Sequence, residues 1–133
     1  MAMIIPDVGE VKLLDNALGD STPENLLLKL YTNNFDCVEG SVHTDFTEAA
    51  MAGYAAKTLT AATWAAASTS VGITSKTYAQ QTFNFTGSGN IVGYYVVGAT
   101  SGVLYWAERL YATTGQPVIS GDAINVTPKI EGA

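Results

Sequence analysis

The chain has little of what most protein chemistry is made from. Its 133 residues include one cysteine, one histidine and one arginine, and charged side chains make up 14%, against roughly 25% in an ordinary globular protein. The single cysteine, Cys37, excludes an intrachain disulfide. With His43 as the sole imidazole there is no cluster of Cys and His for zinc, and no metal or cofactor is expected. Cys37 has no basic neighbour to lower its pKa, so it reads as an apolar filler rather than a nucleophile. The opening MAMIIPDVGE has neither a basic stretch nor a long apolar one, and nothing approaches about 18 consecutive apolar residues, so a soluble protein without signal peptide or membrane span is expected. Asn84-Phe85-Thr86 spells a glycosylation acceptor, which carries no weight without a secretion signal. Basic residues are scarce too: a net charge of −6 argues against nucleic acid, whose phosphates need clustered Lys and Arg.

What is present is apolar and small. Hydrophobic residues reach 47%, so Thr, Ser, Ala and Gly must cover much of the surface, as in a turn-rich β protein or one hidden in an assembly. The acids are unevenly placed: residues 1–48 carry nine against two lysines, whereas residues 49–133 are close to neutral. Such a split suits a solvated acidic face or docking onto a basic partner.

The stretch from Ile91 to Leu110, IVGYYVVGATSGVLYWAERL, organises the rest. Val, Ile, Tyr and Trp favour a pleated, half-buried surface, and Gly-Ala-Thr-Ser-Gly is turn chemistry, so a β-hairpin with a loop of about five residues is expected. Alternation places Ile91, Gly93, Tyr95 and Val97 on one face and Val92, Tyr94 and Val96 on the other. Both faces are apolar or aromatic, which puts the hairpin inside a sandwich or between subunits.

Before it, Val8, Val11, Leu14 and Leu18 recur at helical spacing between Asp7 and Gly19 and predict a short amphipathic helix over Asp7 to Leu18. Asp20 to Glu24 reads as a turn and Asn25 to Thr32 as a strand with Lys29 on its wetter face. Asn33 to Thr44 reads as a long polar loop, and Phe46 to Ala50 as a helical turn or irregular edge. Strands are expected at Tyr54 to Leu59, at Ala61 to Ala67 around Trp64, at Val71 to Thr74 and at Thr77 to Phe85. After a turn at Gly87 to Asn90 and the hairpin come a loop at Tyr111 to Gln116 and strands at Pro117 to Ser120 and Ala123 to Thr127. About eight strands at such intervals predict a mainly β fold, an antiparallel β-sandwich or jelly roll with a short N-terminal helix. The domain reading is a helix or arm over residues 1–20, gripping a neighbour or packed on its own domain, and one β-sandwich over residues 21–133.

Few residues offer chemistry. His43 lies near Ser41, Asp36, Glu39, Asp45 and Glu48, but no nucleophile elbow frames it, and a solvated loop is the plainer reading. The same carboxylates match no known Ca²⁺ loop. Glu108 and Arg109, adjacent on a strand, point to opposite faces and must each find another partner. Arg109 is expected to hold a carboxylate bidentately, within the subunit or across an interface. Tyr94, Tyr95, Tyr105, Trp106 and Tyr111 read as core or interface residues, or as a platform for sugar stacking.

The order NLLLKLYTNNF, DFTEA, GYAAKTL, a Trp, a TF pair, IVGYYV, LYWAERL and GDAINVTP resembles small virion proteins encoded by tailed bacteriophages, from about Val8 to Pro128. The resemblance implies a non-enzymatic part of the particle: a capsid decoration or cement protein with a jelly-roll-like fold. It further implies a homo-oligomer such as a trimer, bound to the major capsid protein or another virion protein at the capsid surface; the charge and composition above leave neither nucleic acid nor membrane as an expected partner. Tyr94, Tyr95, Tyr105, Trp106, Glu108 and Arg109 are then expected at an interface. A carbohydrate- or receptor-binding module on the virion exterior or tail is the alternative, and a hydrolase a distant third.

Overall fold

The computed structural model describes residues 3–19, 22–112 and 114–132. The chain is 39% strand against 14% helix, so sheets rather than the helix set the frame, and every described strand pairing is antiparallel. The first half holds β1 (Met3–Ile4), α1 (Asp7–Leu18), β2 (Leu26–Tyr31), β3 (Lys57–Leu59), β4 (Ser68–Ser70) and β5 (Ile73–Thr77). The second holds β6 (Gln81–Asn84), β7 (Gly89–Ile91), β8 (Gly93–Gly98), β9 (Leu104–Arg109), β10 (Gln116–Val118), β11 (Ala123–Val126) and β12 (Lys129–Gly132). A five-stranded sheet in the order β1-β9-β8-β2-β3 is joined by the pairs β10-β7 and β11-β6 and by the three-stranded sheet β12-β5-β4.

The expected hairpin is the centre of this arrangement. Strands β8 and β9 pair from Gly93 opposite Arg109 to Val97 opposite Leu104, with a bulge after Val96, and β2 closes on the other side of β8. Every residue from Ile91 to Gly98 is buried. The faces, however, differ from simple alternation. Ile91 joins Tyr94 and Val96 in the larger core, while Val92 joins Tyr95 and Val97 in the smaller. The period breaks at Val92, because Ile91 still pairs with β10 whereas Gly93 already belongs to the five-stranded sheet. At that crossing the Val92 carbonyl accepts the N–H groups of both Leu110 and Tyr111, at 3.0 and 3.1 Å. Gly93 is required there, since a Cβ would collide with the Glu108 carbonyl and lie 2.8 Å from the Tyr31 ring.

The two faces of the central sheet are covered by different means. On one, Leu28, Leu30, Val96 and Trp106 meet Phe83, Ile124 and Val126 from β6 and β11, the layering of a sandwich. On the other, the stretch Asn33 to Thr44, which read as a polar loop, supplies Phe35 and Cys37, and Phe46 just beyond it completes a roof. Phe46 stacks on Tyr95 at 4.7 Å and meets Tyr31 edge-on at 4.9 Å. Such aromatic pairs each add about 0.5–1.5 kcal/mol beyond area burial. The hairpin's second apolar face is thus sheltered by its own chain.

Several expected strands are corrected. Ala61 to Ala67 is no strand: Ala61–Thr63 forms a 3₁₀ turn and the following residues are irregular, in keeping with alanine's weak preference for the pleat. Trp64 still anchors the segment, edge-on to Trp106 at 6.0 Å and to Tyr78 at 5.2 Å. Val71 lies in the turn between β4 and β5 rather than in a strand, and only Lys57–Leu59 of the Tyr54 to Leu59 stretch pairs. Phe46 to Ala50 contributes one isolated bridge, Glu48 to Tyr31. The short terminal strands β1 and β12 went unread, since two to four residues carry too little period to detect.

Candidate functional site

The residues expected at an interface gather inside the chain. Tyr94, Tyr95, Tyr105 and Trp106 are 1–4% exposed, and Tyr111 is half-buried. They form no platform on which a sugar could stack, and the four buried rings are not presented to a neighbour. Burial and the adjacent Glu108 carboxylate push the Tyr94 phenol's pKa upward, and its hydroxyl donates to Glu108 Oε1 at 3.0 Å. Among the described residues the buried Trp106 indole N–H makes no hydrogen bond.

Glu108 and Arg109 do point to opposite faces. Arg109, 8% exposed, directs both terminal nitrogens onto Asn34 Oδ1, and its Nε lies 3.3 Å from Asp36 Oδ1. The fork therefore takes an amide oxygen, and the carboxylate receives a single contact within the same chain. Its effect is to pin the roofing loop to the end of β9. Sequence spacing could not identify Asn34, because the two residues are 75 positions apart.

A second polar cluster holds the hairpin loop. Glu24 Oε1 accepts the N–H groups of Thr100 and Ser101, each at 2.9 Å, Oε2 accepts the Tyr105 hydroxyl at 3.2 Å, and Lys12 Nζ approaches to 3.9 Å. Burial opposes the carboxylate, but the bonds from Ser101 and Thr100 outweigh it and hold its pKa below the usual value. Lys29 and Tyr54 meet on Glu48 in the same way, at 3.2 and 2.9 Å. These ionisable groups are occupied with architecture.

His43 is exposed, at the start of a 3₁₀ turn over His43–Asp45. Its neighbours are engaged with backbone: Asp45 Oδ2 accepts the Val42 N–H and Ser41 Oγ the Val38 N–H, both at 2.9 Å. Cys37 is half-buried in the roof, where burial pushes its thiol's pKa up. Among the described residues, no three His, Cys, Asp or Glu side chains converge as metal ligands, and no helix is long and apolar enough to cross a membrane.

The feature that sequence reasoning misplaced is the outer face of α1. The helix spans Asp7–Leu18 as expected and ends on Gly19 in the left-handed region, φ 87°. Its apolar stripe does not face the core: Val8, Val11, Leu14 and Leu18 are 38%, 59%, 61% and 79% exposed. The packed side is Gly9 with Lys12, Leu13 and Asn16, laid against β9. A Cβ at Gly9 would run into the carbonyl of Tyr105 and lie 2.8 Å from that of Leu104. The backbones are in contact there, and the helix cannot roll to hide its stripe. The signal was a buried-side glycine inside a helical pattern, which marks close approach.

No protein-family model matches the chain, and neither the curated proteins nor the solved structures contain a match to it.

Proposed function

We propose that the protein is a non-catalytic structural component that works by docking onto a larger assembly. Its resemblance to small virion proteins of tailed bacteriophages makes that assembly a phage particle, with the chain as a capsid decoration or cement protein that binds and reinforces the shell in several copies. The observation that carries the docking part is the outward apolar stripe of α1. Large exposed hydrophobics elsewhere, such as Val71 in a turn, Ile73 at the start of β5 and Ile119 after β10, are scattered, whereas four lie along this one helix. The rationale for oligomers shifts accordingly. The hairpin needs no second copy to cover it, so what copies share is the shell. A 12-residue helix is about 18 Å long and offers well under the roughly 800 Å² per partner of a standard stable interface, so many weak contacts must act together through avidity.

The test is sedimentation of the purified protein with capsids of the phage whose genome encodes it, followed by imaging of decorated particles. Saturable binding with added density on the shell exterior is expected. A protein that stays in the supernatant at micromolar concentration, beside shells that bind nothing, would sink the proposal.

A further inference from the structure

We infer that the α1 stripe seats in an apolar groove whose rim carries lysine or arginine, on a protein other than this chain; this rests on the docking reading above and adds the chemistry of the partner. Two observations lead there. Asp7 and Asp15 fall within the stripe and Glu10 beside it, while the helix's only base, Lys12, reaches toward Glu24 at 3.9 Å. The last turn carries no basic residue of its own to meet the negative end of the helix dipole. Beside the helix, Val8, Val11 and Val103 line a shallow depression bordered by Asp7, Asp15 and Lys12. An apolar face interspersed and flanked with acids fits an apolar groove that offers cations to meet them. A second copy is disfavoured electrostatically, because pairing two such helices face to face brings Asp7, Glu10 and Asp15 of one toward the same three acids of the other. An anionic lipid surface is repelled for the same reason.

Two designed helical peptides serve as probes, one amphipathic with leucine and lysine, the other its leucine and glutamate counterpart. Amide NMR spectra of the full chain should shift with the lysine peptide at residues of α1 and at Val103, and stay unchanged with the glutamate peptide. The exposed pair Val11→Ser with Leu14→Ser, which leaves the core untouched, should abolish the shifts. Asp7→Asn, Glu10→Gln and Asp15→Asn together should weaken binding on the order of tenfold, as three surface charge pairs would. Equal binding of both peptides, shifts centred elsewhere, or a concentration-dependent dimer removed by the serine pair would overturn the inference. Capsid sedimentation separates it from the function proposed above. Wild type and serine variant binding shells equally would refute the ridge as the contact while leaving the decoration role standing, whereas wild type failing to bind would refute that role whatever the peptides do.

Discussion

Val71 adopts φ +50° with Gly72 at +77°, and it is 98% exposed. Two successive positive φ values between antiparallel strands are the backbone of a tight type I′ hairpin turn, for which Asn-Gly is the preferred pair. A β-branched residue there costs roughly 1–2 kcal/mol and gains no burial in return. Val71→Asn should therefore raise the unfolding free energy by about 1 kcal/mol, read from urea midpoints at unchanged m. A neutral or destabilising result would show the turn to be relaxed in solution. This position also explains a misreading of the sequence: valine signals strand, and only the φ angle reveals the turn. Arg109 gives the opposite lesson, since adjacency on a strand sufficed to separate its face from that of Glu108, but its Asn34 partner depends on how a distant loop folds back.

At the level of elements, α1 tests two opposing effects at one site. Alanine is favoured over glycine in a helix interior by about 1 kcal/mol. Against this stands the collision of a Cβ with the carbonyls of Tyr105 and Leu104. The neighbours are backbone atoms of a buried strand and cannot yield, so overpacking wins. Gly9→Ala is expected to lower stability by about 1–3 kcal/mol, with amide exchange increasing first in α1 and at the edge of β9. Gain of stability would mean that the helix sits further from the sheet than described. The helix boundaries were legible because Asp7 to Gly19 carries both period and terminator, but its orientation was not. Apolar spacing names a face without saying what covers it, and here the close backbone approach decided. The same limit applies at Val92, where a strand changes sheets and reverses the alternation that its sequence implies.

For the molecule as a whole, the mainly β, antiparallel character was readable from strand-forming runs punctuated by glycine. The means of covering the hairpin was not, because Phe35, Cys37 and Phe46 are scattered through polar residues and become a roof only in three dimensions. That enclosure has a measurable signature. Burial raises the pKa values of Tyr31, Tyr95 and Tyr105 to about 12, and those of Tyr54 and Tyr94 upward as well, from a reference of 10.0. Between pH 10 and 12 the unfolded chain loses these protons while the folded one keeps them. The stabilisation is complete below pH 10 and is lost as pH rises through the folded values. Alkaline titration should show tyrosinate absorbance appearing cooperatively, together with loss of the near-ultraviolet circular dichroism. Tyr78, held below its usual value by hydrogen bonds from Thr63 and Thr60, should ionise ahead of Tyr31, Tyr54, Tyr94, Tyr95 and Tyr105. A gradual, independent titration of Tyr31, Tyr54, Tyr94, Tyr95 and Tyr105 from pH 10 would contradict the enclosure.

The outer margins of the central sheet bear on how many molecules can crowd together safely. Among the described residues, the dipeptide Met3–Ile4 flanks one side and the tripeptide Lys57–Leu59 the other. A neighbour seeking to extend the ladder finds almost no template, so high local density need not seed fibrils.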